Sequence, residues 1–118
     1  MYEIDFYRDA KGNVPVKEYI IGLRKTANKN KNDRIRLGKI DYYLQALERY
    51  GTTAGEPFVK FIEDGIWELR PTNDRIFFFY WKDGKYILLH HFLKKTQKTP
   101  PREIEQAIRN RNDYLRRS

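Results

Sequence analysis

The chain has 118 residues, a length that fits one domain around one core, and its hydrophobic fraction of 40% excludes a disordered chain. The net charge of +8 favours an anionic partner, and the absence of cysteine excludes a disulfide framework and a thiolate metal site. No apolar run approaches the ~20 residues that cross a bilayer, and the first residues lack the basic-then-apolar order of a signal peptide. We therefore expect one cytoplasmic domain over residues 1–118, without a membrane partner.

The first half of the chain predicts one strand and two helices. Apolar and polar side chains alternate over residues 2–7, which is typical of a half-buried strand. After Pro15, four apolar residues at helical spacing predict a first helix: Val16, Tyr19, Ile20 and Leu23. Asn32 or Asp33 can cap a second helix, which Gly51 can end. Its apolar stripe consists of Ile40, Tyr43, Leu44 and Leu47.

The second half predicts an antiparallel meander followed by a helix. The β-rich segments cover residues 58–62, 66–70, 75–81 and 86–93, and turns separate them. The last two runs hardly alternate with polar residues, so we expect both in the middle of a sheet, buried on both faces. Thr99 with Pro100 begins a last helix. The predicted class is α+β: a strand, two helices, an antiparallel meander of three or four strands, and a C-terminal helix.

Positive charge is concentrated near the ends of these strands. Residues 66–118 carry 12 basic and 6 acidic side chains. Arg70 and Arg75 flank one tight turn and should lie at the same end of the sheet. Salt bridges from Arg70 to Glu68, or from Arg75 to Asp74, would give them a purely structural role. Otherwise the two guanidinium groups could clamp a phosphate.

The polar residues after the last strand allow two interpretations. Lys94, Lys95 and Lys98 could form a solvated basic loop, but the N–H groups of the helix that follows would add to an anion site. His90 and His91 are adjacent, so they face opposite ways on a strand. One of them could act as an acid or base, and the sequence pattern does not favour either.

Other chemistries have little support in the sequence. The aromatic run from Phe77 to Trp81 is expected in the core, with Tyr80 as the exception. No His, Asp and Glu residues have metal-ligand spacing, the only serine is Ser118, and there is no glycine-rich phosphate loop. We therefore expect no metal and no cofactor.

Three features occur together in the second half of the chain: Leu69-Arg70, Arg75 at the start of an aromatic strand, and a Phe-x-Lys-Lys-x-x-x-x-Pro-x-x-Glu-Ile-x-x-Ala segment over residues 92–107. Together they resemble the phage-derived, HigB-like branch of the RelE/ParE toxin superfamily, whose RelE-like fold has a similar order of elements. The resemblance implies the toxin of a type II toxin–antitoxin system. Such a toxin is an mRNA interferase, a metal-independent endoribonuclease that cleaves mRNA on the ribosome and inhibits translation. The implied partners are a HigA-like helix-turn-helix antitoxin and, through that complex, operator DNA.

The resemblance also implies a set of site residues. The catalytic cations would be Arg70, Arg75, Lys94 and Lys95. Further RNA contacts would be Lys60, Tyr80, His91, Lys98 and Arg102, and Tyr80, Tyr114 and His91 are candidates for the proton carrier. Two alternatives stay open: a ParE-like, non-enzymatic inhibitor of DNA gyrase, and a nucleic-acid-binding module without catalysis.

Overall fold

Three helices and five strands follow one another in the computed structural model, which describes residues 1–118. A short 3₁₀ turn over Gly51–Ala54 follows the second helix. No helix combines the length and the hydropathy that a membrane span requires. The elements in chain order are β1 (Glu3–Phe6), α1 (Pro15–Thr26), α2 (Lys31–Tyr50), β2 (Val59–Glu63), β3 (Ile66–Leu69), β4 (Asp74–Tyr80), β5 (Lys85–Leu93) and α3 (Pro101–Arg117).

The five strands form one mixed α+β sheet in the order β1-β5-β4-β3-β2. Strands β2 to β5 make an antiparallel meander, which confirms the four-stranded form of the prediction. Strand β1 adds a fifth strand that runs parallel to β5, with Glu3 opposite Lys85. Strands β4 and β5 therefore each have a neighbour on both sides, as their continuous apolar runs predicted.

Helices cover both faces of the sheet. The α1–α2 hairpin packs on one face, here called the hairpin face, and α3 packs on the other, here called the α3 face. Strand β4 alternates between them: Ile76 and Phe78 point to the hairpin face, whereas Phe77 and Phe79 point to the α3 face. Large apolar residues that are fully buried in the two cores are Ile40, Leu47, Leu69, Leu88, Ile66, Ile87 and Leu89.

The ends of α2 are set by its own sequence. Asn30 caps the helix, since its side chain accepts a hydrogen bond from the Asp33 backbone N–H at 3.1 Å. The predicted caps, Asn32 and Asp33, instead lie in the first turn, where Asp33 accepts a bond from Thr26 at 2.6 Å. Gly51 ends the helix with a φ of +59°, as predicted.

One end of the sheet, here called the turn end, gathers several chain segments. The β3–β4 turn bonds to the end of β5, because the Lys94 N–H donates to the Asn73 carbonyl at 2.9 Å. The start of α2 reaches the same place through Arg36, which lies 2.9 Å from Asp74. The N-termini of α2 and α3 both lie at the turn end, so their helix dipoles add positive potential there.

Candidate functional site

Glu68 lies at the centre of the site, on the α3 face of β3, and only 1% of it is exposed. The Nε atom of Arg70 is 3.3 Å from its carboxylate, and the Nε atom of Arg75 is 3.7 Å away. Thr99, just before α3, donates its hydroxyl to the same carboxylate at 3.4 Å. The two arginines that flank the β3–β4 turn therefore converge on one buried acid.

Arg75 is held from two sides. Its Nη1 donates to the backbone carbonyls of Thr72 at 2.6 Å and Asp74 at 3.0 Å. The salt bridge between Arg75 and Asp74 that the sequence allowed is not formed, because the Asp74 carboxylate points to the hairpin face. The side chain of Arg75 is 11% exposed, and its Nε has no hydrogen-bond partner. Burial lowers the pKa of Arg75, and the neighbouring charge of Arg70 adds to this shift, whereas Glu68 opposes it.

Two lysines join the arginines. Lys60 lies on β2 directly opposite Glu68. Burial lowers the pKa of Lys94 against the opposing effect of Glu68, and the positive charges of Arg75, Arg70 and Lys60 lower it further. Both arginines lie beside Glu68, Lys60 lies opposite it, and Lys94 follows the β5 residue that pairs with Asp74, so all four cations lie at the turn end. We call Lys60, Arg70, Arg75 and Lys94 around Glu68 the cation cluster.

The comparison with known families adds an independent observation. The family described as Phage derived protein Gp49-like (DUF891) matches residues 29–112, which is well over half of the chain and includes the whole cation cluster. The chain belongs to this phage-derived Gp49-like family. Membership is consistent with a toxin role. Among curated proteins, none is significantly similar to the chain.

The other basic candidates of this Gp49-like protein lie in or after the loop between β5 and α3. Lys95, Lys98 and Arg102 are all exposed. Lys95 and Lys98 form no ion pair, and Arg102 lies 3.8 Å from Glu103 of its own helix. They therefore extend positive charge from the turn end into solvent, without the fixed geometry of the cation cluster.

The structure does not bring the candidate proton carriers to the cation cluster. His91 points to the hairpin face, where its Nε2 is 2.8 Å from Asp74 and its ring stacks on Tyr19. Tyr80 is exposed near the other end of β4, and its hydroxyl accepts a bond from the Gly84 N–H at 2.9 Å. Tyr114 packs against Phe79 and Trp81 from α3. The two histidines do face opposite ways, as predicted, since His90 pairs with Glu103 at 2.7 Å on the α3 face.

Two buried carboxylates organise the turn end, and the sequence named them only as possible salt-bridge partners of Arg70 and Arg75. Glu68 had a signal, because it is the one charged residue among apolar neighbours in β3. Asp74 is fully buried on the hairpin face and accepts bonds from the Tyr19 hydroxyl at 2.6 Å and from Arg36 at 2.9 and 3.1 Å. Burial raises the pKa of Asp74, but the hydrogen bonds from His91, Arg36 and Tyr19 outweigh it, so the pKa lies well below its usual value. No three His, Asp or Glu side chains converge in a way that could hold a metal ion.

Proposed function

We propose that this Gp49-like protein is the toxin of a type II toxin–antitoxin system, with a RelE-like fold, and that it cleaves ribosome-bound mRNA without a metal. One observation carries the proposal: four cations gather on one face at one end of the sheet, around a single buried carboxylate. Fixed positive groups of this kind stabilise the charge that develops on a phosphate as it is cleaved.

The reaction that fits this site uses the RNA as its own nucleophile. A ribose 2′-oxygen attacks the adjacent phosphorus and gives its proton to water, and the bond from phosphorus to the 5′-oxygen breaks as that oxygen takes a proton from water, which leaves a 2′,3′-cyclic phosphate and a 5′-hydroxyl. Arg75 stabilises the five-coordinate phosphorus, because its position is fixed by two backbone carbonyls before the substrate arrives. Arg70, which is 24% exposed, holds the RNA backbone. Lys94 neutralises a non-bridging or departing oxygen.

Glu68 is a positioning residue in this proposal. Its carboxylate lies within 4 Å of both arginines and accepts a hydrogen bond from Thr99, so it limits where the guanidinium groups can move. Glu68 and the exposed Glu56, which lies 3.8 Å from Arg70, compensate only part of the charge of four cations. The cation cluster therefore keeps a net positive charge that an RNA phosphate can neutralise, and RNA binding weakens as salt rises.

The proposed partners follow from the same role. A toxin with a net charge of +8 is silenced by an antitoxin whose contact surface carries acidic residues. We propose a HigA-like helix-turn-helix protein for this partner, with the complex binding operator DNA in the cytoplasm. Co-purification with the product of the neighbouring gene tests the pairing, and the absence of a small binding partner in either gene order counts against it.

The decisive experiment is primer extension on cellular mRNA after induction of the protein. Arg75→Ala should lower cleavage on the order of 100- to 1000-fold, because it removes a donor to the transition state. Arg75→Lys should also fail, since a lysine ammonium lacks the planar fork that binds the Thr72 and Asp74 carbonyls through one nitrogen and leaves a second nitrogen for a phosphate. Arg34→Ala is the matched control: Arg34 is an exposed arginine of α2 without an ion pair, and this variant should cleave like the wild type.

Growth arrest is measured in the same cells, and circular dichroism confirms that each variant is folded. The nuclease proposal is wrong if folded Arg75→Ala still arrests growth and cleaves mRNA at the wild-type positions. If arrest persists while mRNA stays intact and DNA damage appears, the protein acts as a ParE-like gyrase inhibitor.

A further inference from the structure

The Asp74 carboxylate is the buried acid of the turn end that the proposed reaction does not use. Donors from three elements reach it: the Tyr19 hydroxyl of α1 at 2.6 Å, Arg36 of α2 at 2.9 and 3.1 Å, and the Nε2 atom of His91 in β5 at 2.8 Å. An ionised carboxylate only accepts hydrogen bonds, so all three groups donate to it. One acid therefore ties both helices of the hairpin to the two central strands.

The donors around Asp74 also contact one another. The ring of His91 stacks on the ring of Tyr19 with 3.5 Å between their centroids, and Arg36 donates a hydrogen bond to the Tyr19 hydroxyl. Burial raises the pKa of Tyr19, and the hydrogen bond to Asp74 raises it further, so the hydroxyl keeps the proton that it donates. The four side chains therefore hold each other in one arrangement, here called the Asp74 network.

The backbone of Asp74 closes the β3–β4 turn. Its N–H donates to the Pro71 carbonyl at 3.0 Å. Between them, Thr72 has a φ of +49°, a left-handed conformation that is strained for a β-branched residue. A strained conformation persists only where the surrounding structure holds it. The Asp74 network supplies such a hold, because it fixes the last residue of the turn from the hairpin face.

The same turn holds Arg75 on the opposite face of the sheet. Both hydrogen bonds of its Nη1 end on turn carbonyls, those of Thr72 and Asp74. A shift of the turn would move both acceptors together, and the Nε atom of Arg75 has no hydrogen-bond partner that would keep the guanidinium in place. The position of a cation on the α3 face therefore depends on side chains packed against the hairpin face.

We propose that Asp74 is a positioning residue for Arg75, and that Tyr19 and Arg36 act through it, so that docking of the α1–α2 hairpin sets the geometry of the cation cluster. None of these three side chains belongs to the cation cluster. The effect on cleavage rests on the proposed function. The coupling between Asp74 and Arg75 can be measured without RNA, so the two can fail separately.

Two variants disturb the Asp74 network to different degrees. Asp74→Asn keeps the size of the side chain but sets an amide NH₂ group among donors. Tyr19→Phe removes one hydroxyl and keeps the ring that stacks on His91. Arg24→Gln is the matched control, because Arg24 of α1 also pairs with α2, lying 3.5 Å from Asp41, but is not part of the network. Circular dichroism confirms that each variant is folded.

The first test is NMR of the ¹⁵N-labelled protein without RNA. The Nε–H signal of Arg75 is assigned from its absence in Arg75→Lys. We expect this signal to shift, and its proton to exchange faster with solvent, in Asp74→Asn and in Tyr19→Phe, whereas Arg24→Gln should leave it unchanged. The assignment is overturned if the signal stays in place in both folded network variants, or if the control moves it as far.

The second test is the kinetics of cleavage of a defined mRNA bound to ribosomes. In both network variants kcat should fall on the order of 100-fold, the loss expected when a catalytic group is misplaced by ~1 Å. KM should stay near the wild-type value, because the loss falls on the transition state while the other cations still bind RNA. Arg24→Gln should keep both constants. An unchanged kcat in both folded network variants overturns the assignment and leaves the nuclease proposal intact.

A third variant separates positioning from stability. Gly38→Ala fills open space on α2 with a better helix former, so adding it to Tyr19→Phe should restore stability without restoring kcat. If kcat returns together with stability, Tyr19 is only structural and the assignment is overturned. If the wild type cleaves no mRNA, the nuclease proposal fails and the Arg75 signal alone decides whether Asp74 positions it.

Discussion

Replacing Glu68 with glutamine tests whether one buried carboxylate holds the cation cluster together. The change preserves the shape of the side chain and removes its charge, which lies 3.3 Å from Arg70 and 3.7 Å from Arg75. Two unit charges about 4 Å apart interact by ~4 kcal/mol at an effective dielectric constant of ~20. Breaking a buried ion pair costs ~3–5 kcal/mol. Because Arg70 is 24% exposed, we expect the lower end, a loss of about 3 kcal/mol in the free energy of unfolding.

The assay is equilibrium unfolding in urea at pH 7, followed by circular dichroism. With a urea dependence of ~1–3 kcal/mol per molar, the midpoint of Glu68→Gln should fall by roughly 1–3 M. Glu56→Gln is the matched control, since Glu56 lies 3.8 Å from the same Arg70 but its side chain is 73% exposed. An exposed pair contributes ~0–1 kcal/mol, so the control midpoint should hardly move.

The result that refutes this reasoning is a loss of stability in Glu68→Gln that is no larger than the small loss expected in Glu56→Gln. In that case the backbone carbonyls that bind Arg75 would suffice to hold the cation cluster.

The Glu68→Gln variant also probes RNA binding, because removal of the carboxylate leaves one more positive charge uncompensated. The slope of log affinity against log salt should then steepen by about 0.7 for single-stranded RNA. An unchanged slope would show that RNA does not bind at the cation cluster.

Three further predictions concern other parts of the fold. The pKa of Asp74 in the folded protein lies below its unfolded value of about 3.9, so the stability it contributes is present at neutral pH and is lost as the pH falls below about 4. The difference in unfolding free energy between wild type and Asp74→Asn, measured in urea, should therefore shrink from pH 7 to pH 3, and a constant difference would contradict the network. Gly51→Ala should lower the melting temperature, because the new Cβ would lie 2.7 Å from the Tyr86 hydroxyl at a φ of +59°. Gly38→Ala, inside α2 with open space around it, should raise the free energy of unfolding by ~0.5–1 kcal/mol. Shifts of the same sign in the two glycine variants would show that this reasoning is wrong.

Local patterns in the sequence were sufficient to predict the individual elements. The apolar stripe after Pro15 became α1, and the continuous apolar runs became the central strands β4 and β5. The place of β1 could not be predicted, because parallel pairing between Glu3 and Lys85 needs no turn and leaves no local signal. The cap of α2 was misplaced since Asn30, Asn32 and Asp33 are all capping residue types, and only the structure shows which side chain meets a free N–H.

The site was predicted as far as local geometry allowed. Arg70 and Arg75 were expected at the same end of the sheet because they flank one turn, and they lie there. The salt bridge from Arg70 to Glu68 that the sequence allowed is confirmed, and the phosphate clamp stays a prediction. The approach of Lys94 required the register that places Asp74 opposite Leu93, a pairing between distant residues. The position of His91 depended on which face α3 covers, and alternation along a strand does not determine this.

The pairing of β1 with β5 delays completion of the sheet during translation. Strand β1 leaves the ribosome early but finds no neighbour until β5 has emerged, and Lys94 and Thr99 follow β5 directly. Pairing between segments so far apart forms late and slowly. A nascent chain therefore lacks a complete set of cations until β5 and the segment after it have been made, so the cation cluster can form only late in synthesis.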